Sequence, residues 1–297
     1  MHIPVLLEET VFLLDIQGSD RIFEGTLGFG GHAEALCSDL SEEGVYMGVD
    51  RDQDGIAYSK ERLGTPENFY FFHGNYVDIK TYLKRVKIDT VTKILLDLGM
   101  SSYQLDQSGR GFSFLQDDPL DMRMDKTEDT LSAADILNTY DVEALDSLFY
   151  QYGEIRKPQK LVQVIVSFRK DTSFTKTGDL LSCIKKGFYF RQNRRLYIRT
   201  CSQVFQALRI AVNQELEALG QFLSQVKDVL DEGGRLAIIS FHSVEDRLVK
   251  EFYKSNKTWL RPVNKKVIQL SYHDAKKNVR ARSAKLRVYE RVQVPLG

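Results

Sequence analysis

The stretch from Ile22 to His32 combines an apolar strand pattern with closely spaced glycines. These glycines are Gly25, Gly28, Gly30 and Gly31. Glycine lets the backbone turn sharply and lets a ligand approach closer than a Cβ would permit, and the helical pattern that begins at His32 offers unpaired N–H groups at its start. This combination predicts a loop that binds a nucleotide cofactor.

Asp50 supplies the second half of this signal. It follows the apolar segment Val45 to Val49 and lies about 20 residues beyond the loop, the distance at which a carboxylate binds ribose hydroxyls in a doubly wound sheet. The run Gly28 to Ala33 also fits the dinucleotide pattern G-x-G-x-x-A, so the loop alone does not separate NAD from S-adenosylmethionine. A tight turn without a ligand is the structural alternative, but four glycines cost backbone entropy that a simple turn does not need.

Two further strand ends carry candidate side chains. Thr92 to Leu96 is continuously apolar, as in a fully buried strand, and Asp97 follows it directly. Because ligands of open α/β sheets bind outside the carboxyl ends of the strands, we expect Asp97 to contact a ligand rather than to cap a helix. Asn75 or Tyr76, after the preceding strand from Phe69 to His73, is placed to contact an adenine, and covering the core is the alternative for the tyrosine.

The elements that position these residues alternate between helices and strands. The predicted order is a helix from Val5 to Leu14, a strand from Arg21 to Glu24, a helix to about Leu40, a strand from Val45 to Val49, a helix from Gln53 to Leu63 and a strand from Phe69 to His73. This order is typical of an α/β fold with a mostly parallel, Rossmann-like sheet and right-handed crossovers.

The alternation stops after Gln104, where a glycine-bearing loop precedes a run of helical patterns. These patterns are Ser132 to Leu137, Val142 to Tyr150, Lys160 to Phe168 and Gly178 to Lys186, and they predict a small all-α insertion. The sheet is expected to resume with an amphipathic helix from Val204 to Leu230, a glycine stop at 231–234 and a strand from Arg235 to Ile239. The alternating pattern from Lys285 onward predicts a late strand.

The net charge of zero hides a segregation of charge along the chain. Residues 106–149 contain eleven acidic and three basic residues, residues 154–210 contain three acidic and thirteen basic, and residues 247–291 contain three acidic and fourteen basic. Two basic blocks favour a polyanionic partner, with solvated faces as the alternative. The candidate contacts are Arg194, Arg195 and Arg199 in the first block and Arg280 and Arg282 in the second.

Composition excludes several classes of protein. No apolar run approaches the roughly 20 residues needed to cross a bilayer, and the N-terminus lacks the regions of a signal peptide. Cys37, Cys183 and Cys201 are far apart, without a CxxC pair or a histidine at ligand spacing. We therefore expect a cytoplasmic protein with reduced thiols, no membrane contact and no metal, and the oligomeric state stays open.

Several motifs occur in order along the whole chain. They are Gly25-Thr-Leu-Gly-Phe-Gly-Gly-His32, Leu95-Leu-Asp-Leu-Gly99, Arg110-Gly-Phe-Ser-Phe114, Pro119-Leu-Asp-Met-Arg-Met-Asp125, Phe205-Gln-Ala-Leu-Arg-Ile210, Gly233-Gly-Arg-Leu-Ala-Ile-Ile-Ser-Phe-His-Ser243 and Arg280-Ala-Arg-Ser283. In these motifs the sequence resembles the bacterial ribosomal RNA small subunit methyltransferase H family, also called MraW. Asp-Met-Arg-Met-Asp and Ser-Phe-His-Ser are specific to that family.

The resemblance implies a class I methyltransferase domain formed by residues 1–105 and 204–297, with an inserted helical substrate-recognition domain at 106–203. It implies S-adenosylmethionine as the cofactor and N4 of a cytosine in the decoding region of 16S rRNA, within the small ribosomal subunit, as the methyl acceptor. The implied cofactor contacts are Gly30, Gly31, His32, Asp50, Tyr76, Asp97 and Gln104.

We expect Asp97 to be catalytic, because a cytosine amine is a poor nucleophile and an acceptor for its N–H protons favours attack; the carbonyls of Leu98 and Gly99 are alternatives. Tyr103 is a candidate wall for the extruded base, as are Phe112 and Phe114, for which core packing is the alternative. His242 is either a ligand to a substrate phosphate or base, or a helix-start residue satisfied locally.

The chain departs from the family pattern at three places. Tyr103 stands where many members have proline, Ile155 interrupts an acidic run, and Arg199-Thr-Cys-Ser-Gln203 replaces His-Pro-Ala-Thr-Arg. Two other functions remain in view: an NAD-dependent oxidoreductase, which would need a second mononucleotide half, and a non-catalytic RNA-binding assembly factor, which would not need the glycines or Asp50.

Overall fold

The computed structural model describes residues 4–127, 130–271, 273, 276 and 278–293. The chain divides into two compact units, the first combining Met1–Gly99 with Leu216–Gly297 and the second being Met100–Glu215. The borders expected at 105/106 and 203/204 therefore lie at 99/100 and 215/216. The second border is later because Val204, Phe205 and Leu208, which the sequence assigned to the sheet domain, are buried in the core of the helical unit.

The first unit contains the sheet. The described strands are β1 Arg21–Glu24, β2 Val45–Asp50, β3 Phe69–His73, β4 Val91–Asp97, β5 Leu230–Ser240, β6 Leu260–Pro262, β7 Ile268–Gln269 and β8 Lys285–Arg291. Their order is β3-β2-β1-β4-β5-β8-β6, with β7 paired to β8. Strands β1 to β5 are parallel to one another, whereas β8 is antiparallel to β5, β6 and β7. The predicted mostly parallel α/β sheet and its late strand are confirmed.

The described α-helices follow the same numbering in chain order. They are α1 Leu7–Leu14, α2 Gly31–Cys37, α3 Gln53–Leu63, α4 Ile79–Val86, α5 Ser102–Asp106, α6 Ala133–Thr139, α7 Val142–Gln151, α8 Gln159–Asp171, α9 Thr177–Gly187, α10 Arg194–Asn213, α11 Glu215–Val229 and α12 Ser243–Ser255. The described part of the chain also contains the 3-10 helices Tyr76–Asp78 and Val279–Ser283. No helix within the described part of the chain is long and apolar enough to cross a membrane.

Burial on both faces explains why the central strands read as continuous apolar runs. In β4, Ile94, Leu95 and Leu96 are all 0% exposed. Because successive side chains of a strand point to opposite faces, Ile94 and Leu96 belong to one core cluster and Leu95 to the other. Burying each such side chain contributes roughly 1.5–3 kcal/mol, so the strand ends that carry the candidate residues are firmly held.

The prediction of one continuous helix from Val204 to Leu230 is wrong. The structure has α10 and α11 there, separated by Gln214 in the left-handed region with φ of 50°. Apolar side chains keep their helical spacing across the break, so periodicity could not reveal it. A long-range contact holds the end of α10: the buried Asn213 amide accepts from Met124 N at 2.8 Å and donates to Met122 O at 2.8 Å.

The prediction that the glycines in 231–234 end a helix is also wrong, because these residues lie within β5. Strand pairing matches Val91 with Leu230 and then Lys93 with Arg235, so a step of two residues along β4 faces a step of five along β5. The extra residues form a bulge, and Gly233 takes a φ of +76° there. Gly233 therefore belongs to a strand bulge and does not terminate a helix.

The second unit contains helices packed around its own core. Its largest buried side chains include Phe149 and Phe174, each 1% exposed or less. Local caps set the helix starts: Ser132 Oγ accepts from Asp135 N, and Asp141 accepts from Ala144 N. Each such cap contributes about 1 kcal/mol. The four helices predicted for the insertion are confirmed as α6 to α9.

Candidate cofactor and active site

The glycine loop joins β1 to α2 and is held between two neighbouring strands. Gly25 N donates to Leu95 O of β4 at 3.0 Å, and Leu27 N donates to Val49 O of β2 at 2.9 Å. A Cβ at position 25 would lie 2.5 Å from Leu96 Cδ2, so only glycine fits there. Gly28 differs, because its φ is +51° and nothing lies within 4 Å of the space a Cβ would occupy. The open side of the loop is therefore at Gly28.

Gly30 and Gly31, predicted as cofactor contacts, are required by packing. A Cβ on Gly30 would lie 2.9 Å from Ser59 Oγ, and one on Gly31 would lie 2.5 Å from Pro4 Cγ. The space that these glycines leave is filled by the protein itself. Their contact with a cofactor stays a prediction and would have to use their backbone atoms.

Asp50 ends β2 and faces the loop. Its Oδ2 accepts from Gly28 N at 2.7 Å, and its Oδ1 accepts from Asp52 N at 2.8 Å. Burial raises the pKa of Asp50 to about 6, against the lowering effect of these backbone hydrogen bonds. Each carboxylate oxygen has a second lone pair, so Asp50 can hold the loop and still accept a hydrogen bond from a hydroxyl of a ligand.

Asp97 ends β4, beside the loop. Its backbone N donates to Thr26 Oγ1 at 2.6 Å, a contact that sequence reasoning missed. Oδ2 lies 3.6 Å from Nδ1 of the buried His32, whose Nε2 is 3.1 Å from Val5 O. Oδ1 is buried and has no hydrogen-bond partner among the described residues. Because an unsatisfied buried oxygen costs free energy, it fits a donor brought by a ligand.

The charge state of Asp97 depends on Glu245, near the start of α12. Burial, and then the negative charge of Glu245, raise the pKa of Asp97 to about 8. Glu245 is 2% exposed, and its Oε2 accepts from Phe241 N at 2.8 Å. A cationic ligand beside Asp97 would stabilise the carboxylate and lower this pKa.

Glu24 is a further buried carboxylate that sequence reasoning did not place in the site. It ends β1, is 1% exposed, and accepts a hydrogen bond from the Tyr46 hydroxyl. Burial raises its pKa to about 8, the tyrosine contact opposes this, and the charges of Asp97 and Asp50 raise it further. The adjacent strands β2, β1 and β4 thus all end in carboxylates, which favours a cationic ligand. A glutamate at the end of an otherwise apolar strand was the available signal.

Tyr76 lies beside the loop, since its Cβ is 2.7 Å from the Cβ that residue 25 would carry. Its ring packs edge-on against Phe222 with centroids 5.5 Å apart and is partly buried. Asn75 accepts from Val77 N at 3.2 Å. The tyrosine thus covers the core, which was the structural alternative, and its contact with an adenine stays a prediction.

The start of α12 explains His242. This residue is the N-cap, with Nδ1 accepting from Glu245 N at 3.3 Å and Nε2 lying 3.1 Å from Glu245 Oε1. The local role is therefore the one the structure describes, and a substrate contact stays a prediction. The ring of Phe241 lies 3.3 Å from the Cβ that Gly99 would carry, so the ends of β4 and β5 adjoin.

Tyr103 and Gln104 belong to α5 in the second unit. Gln104 is 6% exposed and caps its own helix, because its Oε1 accepts from Ser101 N and its N donates to Ser101 Oγ. Tyr103 is partly buried. Phe112 is in the core of this unit and Phe114 packs edge-on against Phe205 at 5.6 Å, so core packing holds for both phenylalanines.

The predicted RNA contacts lie in both units. Arg194, Arg195 and Arg199 are exposed on the first turns of α10. Arg282 is exposed in the 3-10 helix Val279–Ser283 of the first unit, where Asn278 accepts from Ala281 N at 3.3 Å. The side chain of Arg280, on the same turn, lies outside the described part of the chain.

The chain is similar in sequence to several known proteins over nearly its whole length. Residues 1–292 match the MraW methylase family. The chain is 43% identical over 293 residues to Ribosomal RNA small subunit methyltransferase H of Dictyoglomus thermophilum, covering 98% of this chain and 97% of that protein. The proteins of the same name from Clostridium botulinum and Legionella pneumophila are 38% and 40% identical over 308 and 309 residues, again covering 98% of this chain and 99% of each relative. An rRNA methylase structure from Streptococcus thermophilus aligns over 99% of both chains at 11% identity with a TM-score of 0.47.

Proposed function

Because the chain belongs to the MraW methylase family, we propose that it uses S-adenosylmethionine to methylate N4 of a cytosine in the decoding region of 16S rRNA. The single observation that carries this proposal is Asp97, a strand-end carboxylate with an unsatisfied buried oxygen next to the glycine loop. Such an oxygen fits the donated N–H groups of an amine, which both the cofactor and the proposed acceptor possess.

The residues of the first unit fit the chemical groups of this cofactor. Gly28 leaves open space at the loop, and Asp50 keeps a lone pair on each oxygen for the ribose hydroxyls. The carboxylates of Glu24 and Asp97 suit a molecule with a sulfonium and an ammonium group. When bound, this cofactor supplies an electrophilic methyl group.

Besides contacting the cofactor, Asp97 would assist the acceptor amine. The lone pair of a cytosine amine is delocalised into the ring, and a hydrogen bond from its N–H to the carboxylate favours the geometry needed for attack. After the new N–C bond forms, N4 carries an extra proton, which the Asp97 carboxylate can accept. Its high pKa in the free protein, about 8, suits a group that takes up a proton near neutral pH.

Substrate recognition is assigned to the second unit and to the turn at 279–283. The exposed Arg194, Arg195 and Arg199 supply positive charge for phosphates, and Arg282 does so in the first unit. We propose the small ribosomal subunit as the partner and the bacterial cytoplasm as the location, and the names of the relatives support this proposal. The oxidoreductase alternative has less support, because β8 is antiparallel next to β5 where a second mononucleotide half would continue in parallel.

The test is methyl transfer to small ribosomal subunits from cells that lack this modification. Purified protein is incubated with labelled S-adenosylmethionine and the subunits, and the rRNA is digested to nucleosides. The proposal expects the label in one nucleoside, a derivative of N4-methylcytidine. Label in another nucleoside would refute the assignment of N4 of cytosine as the acceptor. If the protein binds the cofactor but no label enters the RNA, the assignment of rRNA as the substrate would be refuted.

A further inference from the structure

The segment between α9 and α10 presents an exposed aromatic side chain among cations. Tyr189 is 78% exposed, and the guanidinium carbon of Arg191 lies 5.6 Å from the centre of its ring. Other exposed cations flank it in sequence: Lys185, Lys186, Arg194 and Arg195. Between Asp179 and Glu215 the chain contains no acidic residue. We call residues 185–195 the basic turn.

The basic turn is held in a defined shape. Phe188 and Phe190, on either side of Tyr189, pack against the core of the second unit. The ring of Phe190 lies edge-on to that of Tyr197 in α10, with centroids 5.2 Å apart. Asn193 then caps α10 by accepting from Leu196 N at 3.0 Å. Tyr189 thus lies between two residues that are packed against the core, so the fold holds its exposed side chain in a defined position.

Exposure of Tyr189 next to cations favours one kind of partner. A tyrosine ring offers a flat face on which a base can stack, and neighbouring guanidinium groups bind phosphates. Between Asp179 and Glu215 the sequence also supplies no acidic residue that could form local ion pairs with these cations. Bases inside a duplex are already stacked, so only an unpaired base can use the ring.

We infer that Tyr189 is a stacking platform for an unpaired base of the RNA substrate, and that Arg191 and its neighbours bind the adjoining phosphates. This inference rests on the proposed function, since it names the part of the RNA that the second unit contacts. The base that stacks here is a recognition contact and is separate from the base that accepts the methyl group at Asp97.

The chain supplies a matched control in the same unit. Tyr150, on α7, is 59% exposed like Tyr189 but is close in sequence to Glu143 and Asp146. Because both rings are exposed, removing either one is expected to leave the stability of the fold almost unchanged. Thermal unfolding and S-adenosylmethionine affinity of each variant check this before RNA is tested.

The experiment measures binding of the full chain to a fluorescent single-stranded oligoribonucleotide of about 12 nucleotides, a length in the range of single-strand binding sites. Tyr189→Ala and Tyr189→Leu should each lower affinity by about 5- to 150-fold, the loss of one stacked base, without changing the salt dependence. Tyr189→Phe should retain affinity, and Tyr150→Ala should not change it. Arg191→Ala should lower both the affinity and the slope of its salt dependence, by about 0.7 for one phosphate.

Two results would overturn the inference. One is unchanged single-strand affinity in Tyr189→Ala and Tyr189→Leu, and the other is an equal loss for a duplex of the same length. Methylation of small subunits by the unaltered protein separates this from the proposed function. If methylation occurs and Tyr189 has no effect on binding, only the stacking platform fails; if no RNA is methylated while Tyr189 still governs single-strand affinity, only the methylation proposal fails.

Discussion

Replacing Asp97 with asparagine tests the proposed mechanism most directly. The change keeps the size of the side chain and removes its charge, and the backbone contact from Asp97 N to Thr26 Oγ1 is unaffected by it. We expect the fold to persist, because the pKa of Asp97 is raised to about 8 and the ionised form is therefore the costly one in the free protein. Thermal unfolding of the variant is the control.

The expected magnitude follows from the role of a positioned acceptor. Loss of such a group lowers turnover by roughly 10² or more, about 2.7 kcal/mol in the barrier. Cofactor affinity should fall by less, since Asp50 and Gly28 are untouched. Asparagine can still accept a hydrogen bond through its side-chain oxygen, but it cannot take up the proton that N4 loses.

The pH dependence of the methylation rate tests the role of Asp97 independently. Because its pKa is raised to about 8, Asp97 is mostly protonated at neutral pH in the free protein. The rate should therefore rise with pH as Asp97 ionises, with a midpoint at or below about 8 once the cationic cofactor is bound. Glu245→Gln removes the negative charge that raises this pKa, and the midpoint should therefore move to lower pH. Asp97→Asn should lose this limb of the profile.

Single-turnover methylation at several cofactor concentrations is the deciding assay. A rate defect that persists at saturating S-adenosylmethionine supports a role in attack by the amine. Full recovery at saturation would mean that Asp97 only binds the cofactor, and its catalytic assignment would then be withdrawn. An unchanged midpoint in Glu245→Gln would remove the electrostatic link between the two carboxylates.

Three further predictions concern the cofactor loop and the RNA contacts. Asp50→Ala should weaken S-adenosylmethionine binding by about 1.5–3 kcal/mol, since it removes charge-assisted hydrogen bonds, and unchanged affinity in calorimetry would contradict the ribose assignment. Gly25→Ala should lower the free energy of unfolding by about 1–3 kcal/mol, because its Cβ would meet Leu96 Cδ2 at 2.5 Å. In denaturant melts Gly220→Ala is its control, since nothing lies within 4 Å there and alanine in a helix gains about 0.5–1 kcal/mol over glycine. Replacing the three α10 arginines by alanine should lower RNA affinity and reduce the salt slope by up to about 2, while cofactor affinity stays constant; an unchanged slope would make them solvated surface residues. These arginines are Arg194, Arg195 and Arg199.

Local signals in the sequence were sufficient to locate the core of the candidate site. The glycines at 25–31 and the acidic residues that end β2 and β4 were recognised from their spacing along the chain. Parallel strands bring their carboxyl ends to one edge of the sheet whatever the details of packing. Strand β3 and helix α3 were also predicted with the bounds that the structure has. Family motifs along the chain agreed with the later match over residues 1–292.

Tertiary structure alone decided which groups act on these residues. Glu245 raises the pKa of Asp97 although it lies far from it in sequence, and Glu24 joins the site because β1 lies between β2 and β4. The periodicity of apolar residues could not reveal the break at Gln214. The end of this helix depends instead on hydrogen bonds between Asn213 and backbone groups of Met122 and Met124, which are distant in sequence. The physical reason is the same in each case: spacing along the chain fixes which face a side chain occupies, but burial and electrostatic interaction depend on segments that only folding brings together.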